Sequence, residues 1–524
     1  ISVLAAAITT NQAHALDSGY GLAYAYAGGQ GAYAHGTGIS VGVSTVSGGI
    51  SNSSYVGVAA LAGSINIANA AGTSLGLHGT INARAFALGN AYADGVGIGA
   101  AGSTLGGGFI NSGNIGVIAG ALAYNSAEAL SSNGYANAYA GNPNGVYASG
   151  SGISLGYSTI NGSVQNSGDI FTIGAALSFN KAVASGTSIG AAHSGLARAV
   201  GNINANASGL YVSVHSATGE ISNTGSITAI GVALAHDSAS ANADYASAYA
   251  KLWNAQAQAI GFDVDAGTAD SGISNSNDIN AYAVAGTVDA GLAGILGVAV
   301  PNFGNTASAY GYSYAYAYAN GHAHANAKGI DIYGNTIGYL PASSYSVDNS
   351  GDIHAGAVAG LHNIANATAQ YNVAYAYAIG YGVDAQAVGI DVNGQTIVGG
   401  IHNSGQISVS AAGNTVNTAK AIATNGGFAT AVGSAVAAAY GIRIGENNTP
   451  SVGGSIVNDG SLINVGATAK TTNVATAQAG YAKAYAGDIW RNDYDYKAYY
   501  AGAYANATGI SVHVSTLGGS FTNN

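Results

Sequence analysis

Ile401-His402-Asn403-Ser404-Gly405-Gln406-Ile407-Ser408-Val409 is one copy of the motif that decides the fold: an asparagine two residues after one apolar residue and four before another. The same asparagine stands at Asn52, Asn111, Asn166, Asn223, Asn275, Asn349, Asn403, Asn458 and Asn523. The residues two before it are Ile50, Phe109, Val164, Ile221, Ile273, Val347, Ile401, Ile456 and Phe521. Those four after it are Val56, Ile115, Ile170, Ile227, Ile279, Ile353, Ile407 and Leu462. All are large and apolar. Successive asparagines lie 59, 55, 57, 52, 74, 54, 55 and 65 residues apart, the drift expected of loop insertions on a fixed scaffold. Self-similarity at such a period marks a repeat architecture.

Working outward from the asparagine, a glycine opens a short alternating run in each unit: GISVGV at Gly38, GISLGY at Gly152, GFDVDA at Gly261, GIDIYG at Gly329, GIDVNG at Gly389, GIRIGE at Gly441 and GISVHV at Gly509. A threonine usually follows, at Thr45, Thr104, Thr159, Thr268, Thr336, Thr396 and Thr516; the unit at Gly209 has Ser216 there instead. Beyond the asparagine the chain alternates, as in AYAYAYANGHAHANA from Ala315 and VAYAYAIGYGVDAQA from Val373. Period two predicts strands, because successive side chains then point to opposite faces. Alanine favours helices in general. Here its partners are Tyr, Asn, Ser, Thr and Val, and no stripe at helical spacing recurs, so the strand reading prevails.

A strand-rich unit of this size cannot bury its apolar face alone and must stack on its copies. The expected fold is all-β: a parallel β-solenoid (β-helix) of about nine repeats of roughly 52–74 residues, with residues 1–524 forming one continuous array that begins and ends mid-repeat. The apolar positions then form inward ladders, and the recurrent asparagines a ladder of side-chain amides. The Ser-Gly that often follows the asparagine supplies a turn, where positive φ suits glycine. Alternating alanines bring facing walls close together, with the tyrosines between them facing out. Two coil counts are open. One broad coil per unit gives a rise of about 40 Å, and three short coils about 125 Å, at one strand spacing per coil. The single Asn-Ser-Gly signature per unit favours the broad coil.

Composition excludes several functions. Charged residues make up 6% of the 524, against roughly 25% in ordinary domains, and 22 acids against 11 bases leave a net charge of −11. Nucleic acid is repelled rather than gathered. The chain has no cysteine, hence no disulfide and no thiolate chemistry. The longest apolar run, Ala290 to Val300, is shorter than the roughly 20 residues of a spanning helix. No cofactor and no catalytic residue is expected. His322 and His324 share a strand face, the minimum for a metal pair, but two histidines on a strand are ordinarily surface. His354, His362 and His402 are scattered. Asp488 to Lys497, with Trp490, Arg491, Asp493, Asp495 and Lys497, reads as a solvated insertion or a contact loop, and Lys251-Leu252-Trp253 as a smaller one. The 35 tyrosines suit lateral packing between rods or stacking on sugars.

Both termini fit one repeat frame. Ile1-Ser2-Val3 matches Ile407-Ser408-Val409, and the chain ends on Phe521, Asn523 and Asn524, about two residues short of a seamless join. Neither end reads as capped, and a bare edge strand templates further pairing. Ile1, Ser2, Val3, Phe521, Asn523 and Asn524 are therefore the expected end-to-end contact, either within a longer array or between copies stacked head to tail. The units with NSGNI at Asn111, NSGDI at Asn166 and Asn349, NSGQI at Asn403 and the trailing AYAYA tracts resemble the β-strand-repeat passenger regions of large bacterial surface proteins, of the autotransporter and filamentous-haemagglutinin-like kind. The resemblance implies an extracellular rod at the bacterial surface, serving as filament, adhesin stalk or biofilm matrix. Its partners would be itself, by end stacking and lateral bundling, and surface carbohydrate. The alternatives are a polysaccharide-acting β-helix enzyme, a carbohydrate-binding passenger, and a templating surface built on the threonine file.

Overall fold

A computed structural model describes residues 1–18, 21–29, 31–73, 82–186, 193–287, 304–338, 345–446, 449–460, 462–487 and 502–524. They form a parallel β-solenoid in which one repeat makes one coil. A representative coil starts at the asparagine turn, Ile50–Asn52, and runs out along Val56–Gly72. It returns through Asn82–Leu88 and Ala91–Leu105 to the next turn at Phe109–Asn111. All pairing between coils is parallel, and equivalent positions meet, with Val58 opposite Val117, Ala93 opposite Ala148 and Asn52 opposite Asn111; local bulges, as at Gly201–Asn202 and Gly380–Val383, interrupt the register and it then resumes. The asparagine turns form a nine-stranded sheet of their own, ordered as they occur in the chain.

The broad coil is thus the one adopted. Nine coils at about 4.8 Å rise about 40 Å, while a 17-residue outbound wall such as Ile353–Ala369 spans about 56 Å at about 3.3 Å per residue. Each coil is a flattened loop, wider than the stack of nine is tall.

Residue size sets the interior profile. Beside the asparagine turn the walls are held apart by Ile, Val, Leu and Phe, with Phe109, Ile115, Ile153 and Leu155 fully buried. At the far end every member of the core is alanine, as with Ala68 and Ala70 facing Ala83, Ala85 and Ala87, and the walls nearly touch. Tyrosines lie between these alanines on the outer side. Tyr157 departs from that pattern: it points inward and is 3% exposed, opposite Gly102 of the neighbouring coil.

The glycine that opens each alternating run is required by close approach in every coil but the last, where a Cβ on Gly509 would meet open space. A Cβ on Gly97 would lie 2.4 Å from Ile115 Cγ2 and 2.5 Å from the Gly152 carbonyl oxygen, and one on Gly152 would lie 2.3 Å from Ile170 Cγ2. The return wall therefore slides its backbone under the apolar ladder that follows the asparagine turns, beneath Val56 in the first unit and isoleucines from Ile115 to Ile463 in the later ones. The threonine file is also in register, from Thr45 opposite Thr104 to Thr336 opposite Thr396. In the Gly441 unit Ser451 takes this place. One ladder position shifts: Ile463 pairs with Ile407, and Leu462 is 53% exposed, because the turn after Asn458 holds one extra residue.

At the termini, Ser2 lies opposite Gly57, which puts Ile1 in the register of Val56, and Phe521–Asn523 pairs with Ile456–Asn458. Ser2–Asp17 is paired on one side only, so Val3, Ala5 and Ala7 are half-buried where their equivalents within the stack are buried.

Candidate functional site

The nine recurrent asparagines form one continuous chain of hydrogen bonds. Each Nδ2 donates to the Oδ1 of the next coil's asparagine, from Asn52 to Asn111 at 2.8 Å, through Asn111 to Asn166 and Asn403 to Asn458 at 2.7 Å, to Asn458 and Asn523 at 2.7 Å. The second N–H donates to the carbonyl two residues on, as from Asn111 to Gly113 at 2.8 Å and from Asn349 to Gly351 at 2.8 Å. One side chain thus staples adjacent coils and closes its own turn, and Asn111 through Asn403 lie buried. A carboxylate lacks the donors for this role, and a hydroxyl has too few. The turn glycine does not adopt positive φ, as its role in a turn had suggested. It leaves room for the neighbouring backbone: a Cβ on Gly113 would lie 2.1 Å from the Ser54 oxygen, and one on Gly405 2.0 Å from the Gly351 oxygen.

A second buried amide ladder runs along the middle of the outbound wall. Asn11 donates to Asn66 at 2.8 Å, Asn66 to Asn125 at 2.9 Å, and Asn125 to Asn180 at 2.8 Å. Beyond a break, Asn305 donates to Asn363 at 2.9 Å, Asn363 to Asn417 at 2.9 Å, and Asn417 to Asn473 at 2.8 Å. These amides also reach across the interior, from Asn180 to the Val200 carbonyl at 3.0 Å and from Asn363 to that of Ile379 at 3.1 Å. They divide the Ile/Val core from the alanine zone. Glycines on the return wall make room for them: a Cβ on Gly89 would lie 1.8 Å from Asn66 Nδ2. The ladder escaped the sequence reading although its signal was there, an Asn-x-Ala at a fixed offset from the first asparagine, as in Asn52 and Asn66, Asn111 and Asn125, Asn403 and Asn417. The insertion between Asn275 and Asn305 breaks that spacing, and the surrounding alternation hides it.

The break is Asp237. It is fully buried, and its Oδ1 accepts from Asn180 at 2.7 Å. Its Oδ2 and the Oδ1 of its register partner Asn305 have no hydrogen-bond partner. Burial pushes the carboxyl up to about 7, against the pull of Asn180 and the Gly201 amide. In its neutral form the carboxyl supplies the missing donor, an O–H toward Asn305 Oδ1.

The few charges are less dispersed than the composition suggests. Asp263, Asp331, Asp391 and Arg443 occupy one column on successive coils. Asp391 is fully buried, and Arg443 Nη2 at 2.7 Å and Lys328 Nζ at 2.8 Å donate to it. Lys328 also reaches Asp331 at 2.9 Å, and Arg443 pairs with Glu446. Burial works against the Asp391 carboxylate, but Arg443 and Lys328 outweigh it and hold its pKa below the usual range. Asp263, with no cation so close, is pushed up to about 7 by burial and by Asp331.

His322, His324 and His402 each meet a partner on a neighbouring coil. His322 stacks on Tyr381 at 5.4 Å while His324 Nδ1 meets Asp384 at 3.3 Å, so the two face different partners. His402 bridges Asp348 at 2.7 Å and Asp459 at 3.0 Å. Among the described residues no group of three metal-ligating side chains is placed to hold an ion. Leu252 is buried, and the Lys251 ammonium sits 3.2 Å over the ring of the exposed Trp253. Asp488 to Lys497 lies outside the described residues.

In-register parallel coils, a stapled asparagine turn and a second amide file inside define the class, a parallel β-solenoid repeat protein. Compared with known protein families, curated proteins and solved structures, the chain matches none.

Proposed function

We propose that this chain is a non-catalytic structural protein, a length of extracellular bacterial surface filament, adhesin stalk or biofilm matrix fibre that is extended by coil stacking. The observation that carries the reading is the asparagine ladder, which runs to both ends: Asn52 donates to Asn111 at 2.8 Å and Asn523 accepts from Asn458 at 2.7 Å, like the links between them. Each coil is a template for the next. The outer edge of Ser2–Asp17 offers unpaired backbone groups in the repeat's own register, with Ile1, Ser2 and Val3 at its start and Phe521, Asn523 and Asn524 at the opposite end. A head-to-tail contact of this kind does not close and grows into a fibre. The resemblance to autotransporter-like passengers supports the extracellular setting.

Electron microscopy and light scattering of the intact chain over a concentration series test this. Growth into filaments is expected, and Val3→Lys with Ala5→Lys, placing two cations in the edge coil, abolishes it while the circular dichroism of the folded chain is kept. Particles of fixed length at every concentration, or filaments unaffected by the two lysines, contradict the proposal.

A further inference from the structure

The outer face of the alanine zone carries a ribbon of aromatic rings along the whole stack. Tyr24 lies 5.6 Å from Phe86, and Phe86 6.4 Å from Tyr139. Tyr139 is the register partner of Arg198, whose guanidinium lies 5.5 Å from the Tyr249 ring. From there Tyr249 meets Tyr316 at 5.3 Å and Tyr316 meets Tyr377 at 5.6 Å. Tyr375 stacks on Phe428 at 4.9 Å, and Phe428 lies 5.7 Å from Tyr481. The rings are partly open to solvent, with Tyr24 50% and Tyr481 61% exposed.

Charge on this face runs against the rest of the chain. The return-wall stretches over the alanine core, residues 22–28, 82–88, 135–141, 194–200, 245–252, 314–321, 373–380, 426–432 and 481–487, hold Arg84, Arg198, Lys251 and Lys483 at outward positions and no Asp or Glu, in a chain with 22 acids and 11 bases. None of the four cations has a carboxylate partner among the described residues. The acid at the rim, Asp244, accepts from the His193 backbone amide at 3.5 Å.

We propose that this ribbon binds a linear, sparsely acidic polysaccharide, a chain of neutral sugars with interspersed carboxylates, lying along the solenoid axis. Flat rings offer their faces to the C–H faces of sugars, and Arg and Lys among them take carboxylates. A ligand that follows the ribbon from coil to coil is a linear polymer. Along the stack the cations stand two, one and four coils apart, from Arg84 to Arg198 to Lys251 to Lys483, which suits intermittent carboxylates and falls short of the phosphate at every residue of a nucleic acid. A second copy of the same face brings cation against cation. The proposal does not depend on how the stack is extended.

Affinity gel electrophoresis of the intact chain tests it, with lightly substituted carboxymethyl-cellulose, neutral hydroxyethyl-cellulose and a single-stranded oligo(dT) as probes. The carboxylated polymer should bind about tenfold more tightly than the neutral one, the effect of one or two desolvated charge contacts. Replacing Arg84, Arg198, Lys251 and Lys483 by Gln should remove that preference, and Tyr316→Ser with Tyr377→Ser should weaken both polymers about tenfold. Lys181→Gln, Lys420→Gln and Lys470→Gln, on the outer face of the opposite wall, match most of the lost charge and should leave binding unchanged. Equal affinity for both polymers, oligo(dT) binding as well as either, no retardation by the carboxylated polymer, or an equal loss in the opposite-wall variant each overturns the proposal. So do ribbon variants that reduce self-association in light scattering while leaving polymer binding intact, since a second copy would then be the occupant.

Discussion

At Asp237 one oxygen replaces one nitrogen, and a buried ladder loses its donor. The neighbouring asparagines each give an N–H to the next coil; a carboxylate there leaves its own Oδ2, and the Oδ1 of its register partner Asn305, unpaired. The group sits at about 7 when folded, against 3.8 ordinarily, so between those values the folded chain holds a proton that the unfolded chain gives up. The contribution of this group to stability is therefore greatest below pH 4, falls as pH rises through that window and levels off above it, by roughly 4 kcal/mol for about three units. Asp263, also at about 7, adds a fall of the same sign. Thermal melts between pH 4 and 8 should show Asp237→Asn reducing the slope and raising stability at pH 8, with Asp237→Asn plus Asp263→Asn flattening it further. An unchanged slope in Asp237→Asn means that the proton is held elsewhere. The sequence places this aspartate in the asparagine column, fourteen residues after its turn asparagine as Asn66 is after Asn52, yet its burial is legible only once the coils are stacked.

At the scale of the coil, the strands and their turn were readable because both are local: period-two alternation gives the walls, and an asparagine between two large apolar residues gives the corner. Which wall faces which is a long-range fact. The glycine before each Ile-x-Val run was visible as a motif, but its reason, an isoleucine from the other wall over its Cα, lies about one wall length away along the chain. The structural account separates this glycine sharply from its neighbours. Gly152→Ala brings a Cβ to 2.3 Å from Ile170 Cγ2 and 2.6 Å from the Gly209 oxygen, and should cost about 1–3 kcal/mol. Gly156→Ala meets nothing closer than the Ala101 Cβ at 3.8 Å and should stay within about 0.5 kcal/mol of the parent. Urea unfolding of both variants decides: equal effects contradict the packing of the return wall beneath the isoleucine ladder. The charged column at Asp263, Asp331, Asp391 and Arg443 was hidden for a related reason, since residues on successive coils become neighbours only through stacking.

At the scale of the whole chain, large apolar side chains at one end of each coil and alanine at the other give a flat, tapering cross-section, and the two amide files fix the coils in register. Extending such a stack makes a ribbon with one aromatic strip, free of acids among the described residues, over its alanine zone, the shape the proposed surface filament requires. The central claim beneath this is that one repeat makes one coil, and small-angle X-ray scattering of the intact chain in the dilute limit addresses it most directly. One broad coil per repeat gives a compact particle whose longest dimension, the diagonal of a stack about 40 Å tall with walls of 17 to 24 residues, is roughly 70–90 Å. A longest dimension near 125 Å, the length of a thin rod with three short coils per repeat, would contradict the account.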